Sequence, residues 1–304
     1  MTPRTSPLDV AVLEARSALV DLGVPDPALL FLCGTGLPSW STSERPVAPA
    51  AFRRAGTLDL GGLPGFPSLW GGCQLIFGTV TCPEGPVHAW LVEDPSLDAP
   101  VEADAAPFER GFFAWLAAQA GARVLVHTAA GGLVQNSTLE TGDLCLVRDY
   151  LNLSGSSPLL GIGDSKLGPL FPDLTQLFSR SLLGTAVQKA NALGIQATPA
   201  VIAATAPVSL ATRAERAWYQ TAGAEVWVQG IAGPYLAAAH AGLEVLSIVA
   251  LIGAEEPLAT PRVGTDVQGL LLASEAAAPG LDALLAELVI PAAQAAAAAR
   301  EELP

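Results

Sequence analysis

Cations are scarce in this sequence. Its 304 residues carry 15 Lys and Arg against 29 Asp and Glu, a net charge of −14. A chain of that sign repels a phosphate backbone, which excludes nucleic acid as the expected partner. Histidine is scarcer still, with His88, His127 and His240 only, and the 4 cysteines, Cys33, Cys73, Cys82 and Cys145, show no ligand spacing. No His/Cys cluster exists to hold a metal, and the thiols are expected to be buried and free rather than paired. No apolar run reaches the roughly 18 residues that span a bilayer. The N-terminal Met-Thr-Pro-Arg-Thr-Ser-Pro lacks the apolar core of a signal peptide. A cytoplasmic chain, without membrane contact, is therefore expected.

Apolar residues make up 51% of the chain and charged ones only 14%. That supplies a sizeable core, and so low a charge suggests that part of the surface is covered in an oligomer. Helices are expected over Leu8–Leu22 (Ser6 as N-cap, Pro7 at the first position), Pro107–Gly121, Thr175–Leu193 and the Ala-rich 265–304 segment, with a kink at Pro291. Apolar runs predict strands at Ala28–Cys33, Cys73–Val80, Val87–Val92, Arg123–Val126, Asp143–Val147, Pro199–Ala204 and Glu244–Ile252. Residues 38–62, rich in Pro, Ser, Thr and Arg, read as a mobile surface loop, whose Arg53 and Arg54 form a solvated face or close over an anion.

Two stretches invite a ligand. Gly34-Thr35-Gly36 follows the first strand, where two glycines around a hydroxyl can cradle an anion or simply make a tight turn. Thr128-Ala129-Ala130-Gly131-Gly132 closes the strand from Arg123, and side chains that small allow either backbone approach to a ligand or close packing. Residues 93–104 hold five carboxylates, Glu93, Asp94, Asp98, Glu102 and Asp104, and read as an acidic solvated loop. His240 reads as a packing residue.

The wording of these stretches resembles the trimeric, low-molecular-mass class of purine nucleoside phosphorylases. That family ends one strand in Asn-Ala-Ala-Gly-Gly and the next in Arg-Asp-His-(Ile)-Asn-Leu-Pro-Gly. This chain has Thr128-Ala129-Ala130-Gly131-Gly132 and Arg148-Asp149-Tyr150-Leu151-Asn152-Leu153-Ser154-Gly155. The likeness runs from about Ala28 to Val267. It implies one α/β domain over 1–304, with residues 1–27 as an N-terminal helical segment. The fold would be a twisted mixed sheet, partly closed as a distorted barrel and flanked by helices. Homotrimers, purine nucleoside ligands and phosphate as co-substrate, with no cofactor, would follow.

The same likeness marks what is missing. Thr35 stands for the family's phosphate-binding serine, and Thr128 and Ala129 keep the backbone of the phosphate site. Gly71 stands where a phosphate-site histidine belongs, and Gly230 where a phosphate-binding serine belongs. The family's Gly-Arg-Phe-His segment falls on residues 93–104, which hold neither Arg nor His; the next arginine is Arg110, in the helix beyond. At the base and sugar, Leu210 and Ala211 replace an aromatic and a glutamate, Gln229 a methionine, Gly253 an asparagine and Val267 a histidine. With Trp70 they would make an unusually apolar pocket. The resemblance thus implies a phosphorylase scaffold that is weak or inactive in phosphorolysis of purine nucleosides and acts as a binding or interaction protein. Two alternatives stay open: an active phosphorylase using substitutes such as Arg53 or Arg54, and a nucleoside hydrolase-like glycosidase.

Overall fold

The computed structural model describes residues 6–34, 38–42, 51–95, 106–134, 137–206, 210–253 and 267–301. Thr35, Asp98, Glu102 and Asp104 lie outside them.

Strand β1 (Leu29–Cys33) is buried along its whole length. Five apolar side chains in an unbroken run suit a strand covered on both faces. It lies between two parallel neighbours, β4 (Gly85–Glu93) and β5 (Val124–Leu133). Outward from β4, β3 (Gln74–Cys82) and β2 (Phe52–Asp59) add by antiparallel pairing. On the other side the sheet runs β5, β8 (Val226–Gln229), β7 (Ala197–Thr205), β6 (Leu144–Leu153) and β9 (Glu244–Gly253). Because β9 also pairs with β5, these five strands close into a barrel, and β1, β4, β3 and β2 extend it as an arm.

Helices cover both faces. On one, α1 (Pro7–Asp21) buries Leu8, Val12, Ala15 and Leu19, spaced for one helical stripe. It packs with α3 (Phe112–Ala120) and α6 (Ala232–Ala241). On the other lie α4 (Arg180–Leu193) and α7 (Val267–Glu301). Asp282 of α7 accepts from the backbone N–H of Ser39 at 2.9 Å and from its hydroxyl, which ties α2 (Ser39–Thr42) down. From Ala277 to Glu301, α7 is long and apolar enough to cross a membrane. Here its Leu284, Leu285, Leu288 and Val289 are buried against the sheet, as in the core helix of a globular fold. Helix α5 (Arg213–Thr221) opens on Thr212, whose hydroxyl accepts from the Glu215 N–H while the Glu215 carboxylate accepts from the Thr212 N–H.

Several local expectations change. The segment 38–62 is no continuous loop: it contains α2 and the strand β2. The β2 sequence Phe-Arg-Arg-Ala-Gly-Thr-Leu-Asp lacks an apolar alternation because β2 is an edge strand, with a bulge between Arg54 and Gly56. Arg53 is exposed and Arg54 half-buried on that strand. The strand expected to stop at Val126 runs on through Ala129–Gly132, paired to Val249–Gly253 of β9 and to Trp227 of β8. A Cβ on Gly131 would sit 2.7 Å from a Val249 methyl, and one on Gly132 2.6 Å from the Trp227 indole. Close packing therefore explains both glycines. β6 likewise continues through Arg148–Leu153, where its polar residues ladder with apolar β7. Ser6 takes the cap position of α1, yet its hydroxyl makes no cap bond. The helix expected from Thr175 begins at Arg180, capped by Ser179.

His240 is a packing residue. Its Nδ1 accepts the Trp115 indole N–H at 3.0 Å. Burial lowers its pKa from the ordinary 6.5, and the Asp9 carboxylate acts in the opposite sense. The unfolded chain therefore binds a proton near pH 6.5 that the folded chain refuses. This contribution is full above that pH and falls on acidification. Thermal melts between about pH 7.5 and 5.5 should show stability declining, with a shallower decline in His240→Phe.

Candidate functional site

Ligands of α/β sheets gather beyond the carboxyl ends of the strands. Here β4, β1 and β5 run parallel and in register, with Cys33 beside both Glu93 and Thr128. The chain after β1 is pinned on both sides: the Gly34 N–H donates to the Thr128 carbonyl at 2.8 Å, and the Asp94 N–H to the Cys33 carbonyl at 2.9 Å. Thr128 and Ala129 are buried, and Thr128 hydrogen-bonds the Cys33 thiol. Burial pushes that thiol up to about 12, so Cys33 is no nucleophile at neutral pH.

Asp94 is the residue the sequence placed wrongly. It does not face solvent in an acidic loop; it is 3% exposed, and its Oδ2 lies 3.2 Å from Nε2 of His127, which is fully buried. A carboxylate only accepts, so Nε2 carries the hydrogen of this bond. Among the described residues Nδ1 has no hydrogen-bond partner. Arg110, in the short 3-10 helix Pro107–Gly111, is half-buried and close enough to feel the Asp94 charge, which counters the lowering of its pKa by burial.

The polar group extends inward. The His127 ring meets Tyr235 edge-on at 5.7 Å, and the Tyr235 hydroxyl donates to the Ser247 hydroxyl at 2.6 Å. Ser247 is the β9 neighbour of His127. Tyr150 packs on Tyr235 at 5.2 Å, and its hydroxyl is buried without a partner among the described residues. Burial, with Asp149 adding, pushes Tyr150 to about 12, and burial raises Tyr235 as well. A histidine inside an otherwise apolar strand was the one available signal for this cluster.

The remaining candidates are spread over several elements. Gln229 ends β8 beside Thr205 of β7, and Gly230, at φ 69°, donates its N–H to the Thr205 carbonyl at 3.1 Å. Gly253 ends β9 opposite Gly132, and Val267 opens α7. Leu210 is 48% exposed ahead of α5, and Ala211 packs against the small cluster of Val134, Ala203, Tyr219 and Ala224. Gly71 caps the 3-10 turn Ser68–Trp70. Trp70 is not a pocket wall: it is fully buried against Phe113 and donates its indole N–H to the Glu109 carbonyl. Among the described residues no group of three or more His, Cys, Asp or Glu is placed to hold a metal.

Residues 111–286 match the family model of the phosphorylase superfamily. Purine nucleoside phosphorylase 1 of Geobacillus stearothermophilus is 34% identical over 126 residues, 41% of this chain and 45% of that protein. Purine nucleoside phosphorylase of Mycobacterium tuberculosis is 35% identical over 176 residues, 56% of this chain and 58% of that protein. The chain thus spans about half the length of the curated relatives it matches. Among solved structures, Schistosoma mansoni purine nucleoside phosphorylase in complex with inosine shares the fold, with a TM-score of 0.77 at 17% identity over 99% of both chains.

Proposed function

The chain belongs to the phosphorylase superfamily, as a distant member of its purine nucleoside phosphorylases, and on that premise we propose that it binds a purine nucleoside or base without splitting it efficiently. Phosphorolysis needs a held phosphate dianion, a sugar fixed for attack and a donor for the departing base. The resemblance puts Gly71 and Gly230 where phosphate ligands belong, Ala211 and Gly253 where base ligands belong, and Val267 at the sugar. Each well-placed electrostatic group typically supplies about 10²–10³ in rate, and such losses together leave little turnover.

One observation carries the reading. Beside Thr128, at the end of β1, the buried side chain paired with His127 is a carboxylate. A phosphate dianion brought there meets a charge of its own sign in a water-poor setting. The same reading takes the protein as a cytoplasmic homotrimer working without a cofactor, in line with its low charge and the family likeness.

A second reading has support from Arg110, a half-buried cation on which the Asp94 charge acts. If Asp94 yields, Arg110 becomes a phosphate ligand and the protein an active phosphorylase. Release of base from inosine, guanosine and adenosine, with and without phosphate, separates the readings. The expected result is turnover at least about 10³-fold below a typical enzyme's ~10 per second in both conditions. Phosphate-dependent turnover near that value establishes the second reading, and phosphate-independent release establishes a hydrolase.

A further inference from the structure

We infer that the Asp94 carboxylate is the resident anion of this site, held by His127, and that it makes the site select ligands that carry no phosphate. The inference rests on the nucleoside-binding reading for the ligand's class, but its own claim concerns phosphate alone.

Asp94 is fixed twice. Its N–H is bonded to the Cys33 carbonyl at 2.9 Å, and its Oδ2 to the His127 imidazole at 3.2 Å. Both side chains are fully buried, so separating them would leave a polar group of each without its partner in a water-poor setting. Arg110 is held as well: a Cβ on Gly233 of α6 would stand 2.9 Å from the Arg110 Cβ, so the stem of the arginine lies against the helix. An arginine, an imidazole N–H and the backbone end of a parallel strand are the donors an oxyanion uses. Here a carboxylate of the chain already takes the imidazole N–H, and its charge acts on the arginine. An incoming phosphate has to displace Asp94 or lie beside it, and like charges so close oppose binding. A neutral nucleoside or base meets no such penalty.

The test is calorimetric titration of the full chain with inorganic phosphate at constant ionic strength. Wild type should show no saturable phosphate binding. Asp94→Asn keeps an acceptor for His127 and removes the charge, so it should bind phosphate at least about tenfold tighter than wild type. Asp94→Asn combined with Arg110→Gln should lose that gain. Saturable binding by wild type, or a folded Asp94→Asn protein no better than wild type, overturns the inference. If Asp94→Asn does not fold, Arg110→Gln in the wild-type background decides: equal indifference to phosphate supports the inference, and wild-type binding that this change removes overturns it. Inosine is titrated in parallel. Failure to bind inosine defeats the nucleoside reading and leaves the phosphate result standing.

Discussion

Gly168→Ala should destabilise the protein by about 3 kcal/mol, and lower its melting temperature by roughly 6 °C or more. The added methyl would land on the His240 carbonyl and lie 2.5 Å from His240 Nδ1. Neither atom can give way. The carbonyl belongs to the last turn of α6, and Nδ1 is committed to the Trp115 indole. Nearby, Ser165 donates its hydroxyl to Asp9 of α1 at 2.6 Å, and the Lys166 N–H donates to the same carboxylate at 2.9 Å. The 165–168 segment is thus a joint between α1, α3 and α6, and a displaced Gly168 strains all three. Circular dichroism melts of wild type and Gly168→Ala measure the effect. A loss below about 1 kcal/mol would show that the segment can move aside.

His127→Ala should cost about 3 kcal/mol, because it leaves Asp94 buried with a partner removed. Arg110 still feels that charge, which keeps the loss at the lower end for a broken buried pair. His127→Gln can still offer an N–H and should cost only about 1 kcal/mol. The contrast separates the hydrogen bond from ring packing on Tyr235. Equal losses in both variants, by chemical denaturation, would assign the stability to packing instead.

The fold was legible because its wording is unusual. Thr128–Gly132 and Arg148–Gly155 match a family signature closely enough to imply the barrel that β5, β6, β7, β8 and β9 close. Composition misled where backbone pairing, not side-chain pattern, decides structure. Arg148–Leu153 is polar and Ala129–Gly132 almost without side chains, yet both are strands with apolar partners far along the chain. Asp94 misled for a related reason. Its neighbours in sequence are acidic, while its partner is 33 residues away in the middle of β5. No local rule finds a carboxylate–imidazole pair across that separation, and only the parallel register of β4, β1 and β5 brings the two together. Trp70, an aromatic in a glycine-rich stretch, looked like a pocket wall but packs on Phe113 instead.

The plainest trial of the central idea, a nucleoside scaffold whose anion position the chain fills for itself, is calorimetric titration of wild type with inosine, first without and then with millimolar phosphate at constant ionic strength. The account predicts saturable binding with an affinity unchanged by phosphate, and no hypoxanthine released during the titration. Binding that tightens when phosphate is added, accompanied by release of the base, would contradict it.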